Sequence, residues 1–453
     1  MSFKKDFVWG AAAAAYQIEG APCLAGGGES VWDMFCKKNG AVWNHHNGDV
    51  ACDHYNRYRE DVGLMSEIGL HAYRLSISWP RVLPDGTGRV NEAGLDFYDK
   101  LIDTLLEKNI TPYVTLFHWD LPYLLHCRGG WLNPESVEWF AEYTELIVKR
   151  IGDRVRHWMT FNEPNIFLSR GYGMGVHAPG ETLPPAELLR QAHHVLMAHG
   201  RSVQVLRGHG AGYKIGFAPA MDVAIPDTDT PENIAAARRR MFLVGCQAMG
   251  DLALWADPVF FGRYPENMLE VFDEKKVITT AEDMKLISQP LDFCAVNIYN
   301  GHRMRAADSK MGEVLKADRG TPLTGISWTI TPEALYWGPR HLWERYGKPV
   351  IIAENGMSNH DIVSLDGKVH DPQRIDFLNR YLLQLERAVK DGVAIDGYFL
   401  WSIMDNFEWD HGYKERFGII FVEYATQQRI LKDSARWYSD IIKTNGTSLH
   451  RSS

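Results

Sequence analysis

The chain has 453 residues, of which 45% are hydrophobic and 12% aromatic, so it can bury a large core. Its formal net charge of −9 and its lack of a long basic run argue against nucleic acid or an anionic membrane as a partner. No apolar run approaches the roughly 20 residues that a membrane-spanning helix needs.

The cysteines and the amino terminus bear on the compartment. The apolar run Phe7–Ala15 follows Lys4-Lys5, the order found in a signal peptide, but Asp6 interrupts the junction and the run is short. A first β-strand is therefore the favoured interpretation. The six cysteines form no close pair and no metal-binding spacing, which predicts reduced thiols in a cytoplasmic protein. They are Cys23, Cys36, Cys52, Cys127, Cys246 and Cys294.

Short β-prone runs alternate with longer amphipathic segments along the whole chain. Eight such units predict an α/β protein, a single (β/α)8 TIM barrel over residues 1–453, with long βα loops forming the active-site pocket. The polar stretch Gly301–Trp328 is interpreted as an irregular loop after the sixth strand. The predicted strands are Phe7–Ala14, Ala72–Ser78, Pro112–Phe117, His157–Phe161, Lys214–Ala218, Phe293–Ile298, Pro349–Ala353 and Gly397–Trp401, and the clearest helical segments are Leu95–Lys108, Pro134–Gly152, Leu188–Arg207 and Asp376–Asp391.

Polar and aromatic residues cluster just past the predicted strands, where barrel enzymes place their active sites. Amides, carboxylates and imidazoles hydrogen-bond sugar hydroxyls, and tryptophan faces pack on the apolar C–H patches of a pyranose. The strand ends therefore predict a carbohydrate site. The residues are Gln17, Arg74, His118, Trp119, Asn162, Glu163, Asn297, Tyr299, Glu354, Trp401, Glu408 and Trp409.

Two glutamates stand out among these residues. Glu163 lies in Thr160-Phe161-Asn162-Glu163-Pro164 and Glu354 in Ile351-Ile352-Ala353-Glu354-Asn355-Gly356, each after an apolar run. Two carboxylates converging on one pocket supply the proton donor and the nucleophile or base that glycosidic bond cleavage needs.

A metal site is the weaker interpretation. Two histidine groups occur, but no His-Glu-x-x-His motif is present and neither group has regularly spaced carboxylates. Hydrogen-bonded or surface histidines are favoured, and no metal or other cofactor is expected. The groups are His45, His46 and His54, and His193, His194 and His199.

Seven ordered motifs resemble family 1 of the glycoside hydrolases, the retaining β-glucosidase type, over nearly the whole chain. The motifs are Ala15-Tyr16-Gln17-Ile18-Glu19-Gly20, Tyr73-Arg74-Leu75-Ser76-Ile77-Ser78-Trp79-Pro80-Arg81, His118-Trp119-Asp120-Leu121-Pro122, Thr160-Phe161-Asn162-Glu163-Pro164, His177-Ala178-Pro179-Gly180, Glu354-Asn355-Gly356 and Asp405-Asn406-Phe407-Glu408-Trp409.

The resemblance implies a role for each site residue. Glu163 would be the acid/base and Glu354 the nucleophile, hydrogen-bonded by Arg74 and Tyr299 with Asn297 nearby. Trp119 would contact substrate, and Trp328 would form the aglycone platform. The glycone would be held by Gln17, His118, Asn162, Glu408 and Trp409, with Trp401 as its floor.

The chemistry places opposite demands on the two carboxyls. Retention requires them roughly 5–5.5 Å apart. Glu354 must be ionised, which Arg74 beside it would favour, whereas Glu163 must begin protonated. Burial and the charge of Glu354 are expected to raise the pKa of Glu163 toward about 6–7. Asn162 is expected to donate a hydrogen bond to the sugar 2-hydroxyl.

The substrate is expected to be a small β-glucoside, such as an aryl glucoside or cellobiose. Glu408 would repel a 6-phosphate, so a 6-phospho-β-glucosidase is disfavoured despite Lys414. Asn165-Ile166 and Ser327-Trp328-Thr329-Ile330 depart from many relatives on the aglycone side. The less aromatic entrance argues against a preference for cellobiose and favours aryl glucosides, other disaccharide linkages or transfer to sugar acceptors.

Several alternatives stay open. They are a galactosidase- or fucosidase-leaning or transglycosylating member of the family, an endo-acting glycanase, a metal-dependent sugar isomerase and a non-catalytic sugar-binding barrel. The sequence indicates no oligomeric state.

Overall fold

A computed structural model describes residues 3–21, 23, 26–210, 212–272, 279–309 and 311–450. Within these ranges, eight parallel strands form one sheet that closes into a barrel, as the sequence predicts. The observed bounds differ from the predicted ones by at most two residues at either end. The strands are β1 Val8–Ala12, β2 Ala72–Ser76, β3 Thr111–Phe117, β4 His157–Asn162, β5 Lys214–Ala218, β6 Cys294–Asn297, β7 Val350–Asn355 and β8 Ile395–Trp401.

The strand order follows the chain around the barrel. Hydrogen-bonded neighbours run β5-β4-β3-β2-β1-β8-β7-β6. Two contacts close the barrel between β6 and β5, the two ends of this order. The amide of Asp292, just before β6, donates to the Ile215 carbonyl of β5 at 2.9 Å. Beyond the end of β5, Ala220 forms a parallel bridge with Asn297 of β6. The carboxyl ends of all eight strands therefore meet at one rim.

Helices pack around the outside of the sheet, and the four predicted segments correspond to α2, α3, α4 and α9 below. In α2 the buried Leu95, Tyr98, Leu101, Ile102 and Leu105 recur at helical spacing, so one stripe faces the strands. In the described part of the chain, the helices of seven or more residues are α1 His54–Ile68, α2 Glu92–Glu107, α3 Ser136–Ile151, α4 Pro185–His209, α5 Pro231–Phe242, α6 Leu252–Phe261, α7 Ala281–Ile287, α8 Ala334–Tyr346, α9 Pro372–Lys390 and α10 Asp433–Lys443.

Short helices occur mainly in the loops. They are Ala15–Ile18, Val31–Cys36, Trp43–His45, Trp79–Val82, Tyr123–Cys127, Gly130–Leu132, Pro164–Leu168, Ser169–Gly173, Met268–Val271, Trp409–His411 and Thr447–His450.

The strands are buried on both faces, as expected for a parallel sheet covered by helices. On β7, Ile351 and Ala353 belong to the cluster that fills the barrel interior, whereas Val350 and Ile352 belong to the cluster beneath the helices. Gly216 shows how tightly the interior is filled, because a Cβ there would lie 2.2 Å from the Phe293 ring. Side chains that alternate along β7 therefore pack into two cores, the barrel interior and the layer between the sheet and the helices.

The stretch Gly301–Trp328 is not wholly irregular, and that prediction is wrong for its first half. Gly301–Arg305 and Glu313–Val314 join Val223–Pro226 in a three-stranded sheet beside the barrel, while residue 310 lies outside the described residues. The sheet forms because Val223–Pro226, far away in sequence, supplies the parallel neighbour. A further antiparallel pair is Ile420–Glu423 with Gln428–Leu431.

None of the described helices is both long and apolar enough to span a membrane. All six cysteines are free, and Cys36, Cys52 and Cys294 are buried.

Candidate active site

A cavity of about 350 Å³ opens at the rim where the strands end. It brings together eleven of the thirteen predicted site residues, which come from β3, β4, β6, β7, β8 and the loops that follow them. Arg74 lies beneath the cavity, and Gln17 is fully buried beside it. The predicted residues that line it are His118, Trp119, Asn162, Glu163, Asn297, Tyr299, Trp328, Glu354, Trp401, Glu408 and Trp409.

Glu163 stands at the junction between β4 and the short helix Pro164–Leu168. It has a left-handed backbone conformation, with φ +44° and ψ +57°. This conformation disfavours an L-residue by roughly 1–2 kcal/mol, but Pro164 fixes the first helical turn and bars a right-handed helical residue before it. The amide of Glu163 also donates to Ala218 on β5 at 2.7 Å. Strand end, proline and neighbouring strand together orient this carboxyl.

Glu354 lies near the end of β7 and is held from two sides. Arg74 Nη1 on β2 donates to its Oε1 at 2.5 Å, and the Tyr299 hydroxyl donates to its Oε2 at 2.7 Å. Both oxygens of this buried carboxyl therefore accept a hydrogen bond, the arrangement that stabilises a carboxylate. Arg74 and Tyr299 occupy the places that the resemblance implies.

Two asparagines connect the carboxyl groups. Asn162 Oδ1 accepts from Arg74 Nη2 at 2.6 Å and from Asn297 Nδ2 at 3.0 Å. Asn297 Nδ2 also donates to Glu163 Oε1 at 2.8 Å. A continuous hydrogen-bonded path thus runs from Glu354 through Arg74, Asn162 and Asn297 to Glu163.

The two carboxyls differ in what surrounds them. Burial and the nearby charge of Glu354 raise the pKa of Glu163 to about 8, which is higher than the sequence suggested but in the expected direction. Burial also raises the pKa of Glu354, while the charge and hydrogen bond of Arg74 and the bond from Tyr299 oppose the rise. Glu163 is therefore the group that retains its proton when one carboxyl ionises.

Aromatic rings enclose the inner end of the cavity. The His118 ring lies nearly parallel to the rings of Trp401 and Trp409, with centroids 5.9 and 6.0 Å away. Burial and the charge of Arg74 hold the pKa of His118 well below its ordinary range, so the ring is neutral. Its Nε2 lies 3.0 Å from Asn162 Nδ2.

Glu408 brings an unsatisfied carboxyl to the same end of the cavity. Its Oε2 has no hydrogen-bond partner among the described residues. Burial and the charges of Asp410 and Glu354 raise the pKa of this group well above its ordinary value. A ligand with hydroxyl donors would satisfy it. Lys414 does not line the cavity and lies 3.5 Å from Glu415 instead.

Gln17 does not line the cavity. Its Nε2 donates to the Asn406 side chain at 3.1 Å and to the Phe407 carbonyl at 2.8 Å, immediately before Glu408. Its Oε1 has no hydrogen-bond partner among the described residues. In this structure Gln17 supports the loop that carries Glu408.

Asn165 does not line the cavity, and the less aromatic entrance that the sequence suggests stays a prediction. Asn165 points away from the cavity, where its Nδ2 donates to the Ala220 and Gly250 carbonyls at 3.1 Å each. The Ala220 amide donates back to its Oδ1 at 3.0 Å. Ile166 lines the cavity instead, and Trp328 lines it as predicted. Asn165 is buried because it joins the loops that follow β4 and β5.

The sequence model described as glycosyl hydrolase family 1 matches residues 1–447. The chain belongs to glycosyl hydrolase family 1.

Individual relatives match this chain over nearly its full length. The chain is 46% identical to a 1,4-beta-D-glucan glucohydrolase of Thermotoga neapolitana, covering 98% of this chain and 99% of that protein. It is 45% identical to Beta-glucosidase A of Thermotoga maritima, covering 98% of each. The solved beta-glucosidase from Thermotoga maritima in complex with glucoimidazole is 44% identical, with a TM-score of 0.89 over 98% of this chain and 99% of that one.

This family-1 chain also has cavity residues for which the sequence alone indicates no role. Arg170, His177 and Asp410 form one polar cluster in the cavity wall. Asp410 and Arg170 are 240 residues apart in the sequence. Each looks like an ordinary charged loop residue, so nothing in the sequence predicts that they lie close together. The described residues contain no group of three or more His, Cys, Asp or Glu arranged to hold a metal ion.

Proposed function

We propose that this protein is a retaining exo-β-glucosidase. It releases terminal, non-reducing β-D-glucosyl residues from aryl or alkyl glucosides and from short β-gluco-oligosaccharides such as cellobiose. The observation that carries the proposal is the pairing of Glu354, held by Arg74 and Tyr299, with Glu163, whose pKa is raised to about 8. The names of the full-length relatives, a 1,4-beta-D-glucan glucohydrolase and a beta-glucosidase, support the same activity.

In the first half-reaction Glu354 is the nucleophile. Its carboxylate attacks the anomeric carbon while the bond to the leaving-group oxygen breaks, and that oxygen takes the proton of Glu163. As charge leaves Glu354, Arg74 and Tyr299 need not move, because they already hold both oxygens of the carboxyl. The product is a glucosyl ester of Glu354.

In the second half-reaction Glu163 acts as the base. Esterification removes the charge of Glu354, which is one cause of the raised pKa of Glu163, so the pKa of Glu163 falls. Glu163 then takes a proton from water as the water oxygen attacks the anomeric carbon. The ester bond breaks and its electron pair returns to Glu354. Two displacements restore the β configuration.

The glycone is proposed to be an unmodified sugar. Glu408 presents an unpartnered carboxyl oxygen to accept bonds from sugar hydroxyls, and a 6-phosphate would add about −1.5 to −2 charges beside it. Asn162 is the proposed donor to the 2-hydroxyl, and Trp401 the proposed floor. The two carboxyls and water supply every reacting group, so no metal or other cofactor is proposed.

The chain is further proposed to fold as one domain and to work in the cytoplasm. One barrel takes strands from both ends of the chain, because β1 pairs with β8. The six free cysteines suit a reducing compartment.

The test is hydrolysis of p-nitrophenyl β-D-glucoside and cellobiose by the purified full chain, with proton NMR of the first glucose released from the aryl glucoside. We expect both substrates to be cleaved, β-glucose to appear before α-glucose, and EDTA to have no effect. Initial α-glucose would overturn the retaining mechanism. Wild-type inactivity on these two substrates, on the galactoside and on the 6-phosphoglucoside would favour a non-catalytic sugar-binding barrel.

A further inference from the structure

The helix that follows Glu163 leads from the reacting centre toward the mouth of the cavity. Glu163 precedes the short helix Pro164–Leu168, which continues into the π-helical turn Ser169–Gly173. Glu163, Ile166 and Arg170 from this segment all line one face of the cavity. Glu163 protonates the leaving-group oxygen in the proposed reaction, so this face lies on the leaving-group side.

Arg170 is held at its place by two residues from other loops. Its Nε lies 2.9 Å from His177 Nε2, and its Nη2 lies 3.5 Å from Asp410 Oδ2. His177 Nε2 in turn lies 2.8 Å from Asp410 Oδ1. Asp410 belongs to the short helix that starts at Trp409, directly after Glu408. The cluster therefore joins the glycone end of the cavity to the face that carries Arg170.

The cluster retains free hydrogen-bonding capacity toward the cavity. Arg170 Nη1 has no hydrogen-bond partner among the described residues, and the side chain is 37% exposed. Asp410 is 24% exposed, and it is ionised because His177 and Arg170 hold its pKa below the ordinary value against the effect of burial. An open donor and an open acceptor thus stand side by side.

We propose that Arg170 and Asp410 form a specificity site for a hydroxylated leaving group, a second sugar unit. This proposal rests on the proposed glucosidase function and names the substrate class of the same cavity. A sugar diol would accept from Arg170 and donate to Asp410 while its ring covers Ile166. Hydrogen bonds to charged groups are stronger than those between neutral partners, so this pair would favour a sugar over an aryl leaving group.

The balance of charge favours a neutral sugar over an anionic leaving group. The positive charge of Arg170 is matched by Asp410, so the pair has no net positive charge. A leaving group with a carboxylate would therefore gain no net attraction from this pair. An uncharged diol matches an ion pair, since each hydroxyl can both donate and accept.

The same site would also hold an acceptor sugar in the second half-reaction. The acceptor hydroxyl would give its proton to Glu163 and bond through its oxygen to the anomeric carbon. The ester bond to Glu354 would break with its electron pair returning to Glu354. Transfer to sugar would then compete with transfer to water, so the transfer-to-hydrolysis ratio reports on this site independently of leaving-group affinity.

The experiment compares Arg170→Met and Asp410→Asn with wild type on cellobiose and on p-nitrophenyl β-D-glucoside. Because kcat/KM reports the first half-reaction for both substrates, its ratio isolates recognition of the leaving group. Each variant should lower the cellobiose-to-aryl ratio of kcat/KM by about tenfold or more, the effect of losing a hydrogen bond to a charged group. Each should also lower the ratio of transfer to hydrolysis at high cellobiose.

The matched control is Arg305→Met, because Arg305 is also a half-exposed arginine paired with an aspartate, Asp227, but lies outside the cavity. This control should keep the wild-type ratios. Unchanged ratios in both test variants would overturn the proposal, as would a larger loss on a glucoside with a carboxylate-bearing leaving group. Inactivity of wild type on both substrates would instead overturn the glucosidase function itself.

Thermal melting of each variant separates misfolding from lost recognition, and Asp410→Asn preserves the shape of the side chain.

Discussion

Glu163 and Glu354 are the same residue type in one cavity, and their partners separate their roles. Glu354 accepts from a guanidinium and a phenol, so its charge is compensated. Glu163 accepts only from the neutral amide of Asn297 among the described residues. The first arrangement favours a carboxylate and the second a carboxylic acid. The proposed nucleophile and acid therefore follow from hydrogen-bond partners as well as from family membership.

The raised pKa of Glu163 gives a pH prediction. Glu163 must be protonated to assist departure, and its pKa is about 8, so kcat/KM for cellobiose should fall as the pH rises through about 8. The measurement is the pH profile of kcat/KM in wild type and in Glu163→Gln. The variant should lose the alkaline limb, and it should lose far more rate on cellobiose than on 2,4-dinitrophenyl β-D-glucoside, whose leaving group needs little protonation. A wild-type limb near pH 4.5 would contradict the assignment.

For single residues, the sequence predicted the position in the site when the residue lies at the end of a strand. The positions of His118, Asn297 and Glu354 follow from the barrel pattern alone, because strand ends converge on one rim. The sequence did not show that Asn165 and Gln17 lie outside the cavity lining, because the direction of a side chain beside a strand end depends on loop conformation. Arg170 and Asp410 were missed because loop folding alone brings them together.

Among the structural elements, the loops after β4 and β5 determine where Glu163 lies. The strands are fixed by their ladders, but Glu163 stands one residue beyond β4 in a strained conformation. Asn165 crosses to Ala220, two residues beyond β5, and to Gly250. The β4–β5 backbone hydrogen bonds end at the rim of the barrel, and the bonds of Asn165 continue the connection beyond it. The Asn165 side chain therefore helps to hold Glu163 in position.

Asn165→Ala should therefore destabilise the protein. The substitution removes two donated bonds and one accepted bond within a buried loop, for a loss of roughly 1–3 kcal/mol in the free energy of unfolding. The measurement is the urea unfolding midpoint, with Asn56→Ala as the control, because Asn56 is exposed and bonds only to Asp53 of its own helix end among the described residues. Equal midpoints for the two variants would refute the structural role of Asn165.

Helices and strands were predictable from the sequence where the spacing of the apolar residues and the length of the segment indicated the same secondary structure. The buried strands read as short apolar runs and α2 as a stripe at helical spacing, so both were recognised within a few residues. Gly301–Arg305 was missed because it has no β-branched residue and owes its extended form to Val223–Pro226. Local sequence could not reveal a partner so distant along the chain.

Across the whole molecule, a buried ion network joins the last loops of the barrel. Lys432, just before α10, donates to Asp361 at 2.6 Å and to Asp405 at 2.7 Å. Asp361 also accepts from Arg374, and Asp405 from Arg416. Asp361 follows β7 and Asp405 follows β8, so the network fixes both loops on the side of the barrel that carries Glu408.

Lys432→Met should weaken the whole fold. It leaves two buried carboxylates short of a cation, a change that costs roughly 3–5 kcal/mol when one partner of a buried ion pair is removed. The measurement is the urea midpoint together with the half-life of activity on heating. Lys149→Met is the control, because Lys149 is exposed and its i,i+4 pair with the partly exposed Glu145 contributes only about 0.3–0.5 kcal/mol. A Lys432 variant as stable as the control would argue that the network is not needed for stability.

The barrel itself was predictable because eight repeats of one pattern reinforce each other, so errors of a residue or two at each strand do not change the topology. The buried ion network was not predictable, since charged residues in loops give no sign of their burial. Sequence thus indicated the architecture and the proposed reacting pair, whereas the surrounding polar contacts required the folded structure.

The most direct test of the central claim is azide rescue of two glycine variants on an activated aryl β-glucoside. Glu354→Gly should lose activity, and azide should restore turnover with α-glucosyl azide as product, because azide replaces the nucleophile in one inversion. Glu163→Gly with azide should give β-glucosyl azide, because azide then attacks the glucosyl ester of Glu354. β-Glucosyl azide from the Glu354 variant, or full activity without azide, would contradict the assignment of Glu354 as the nucleophile.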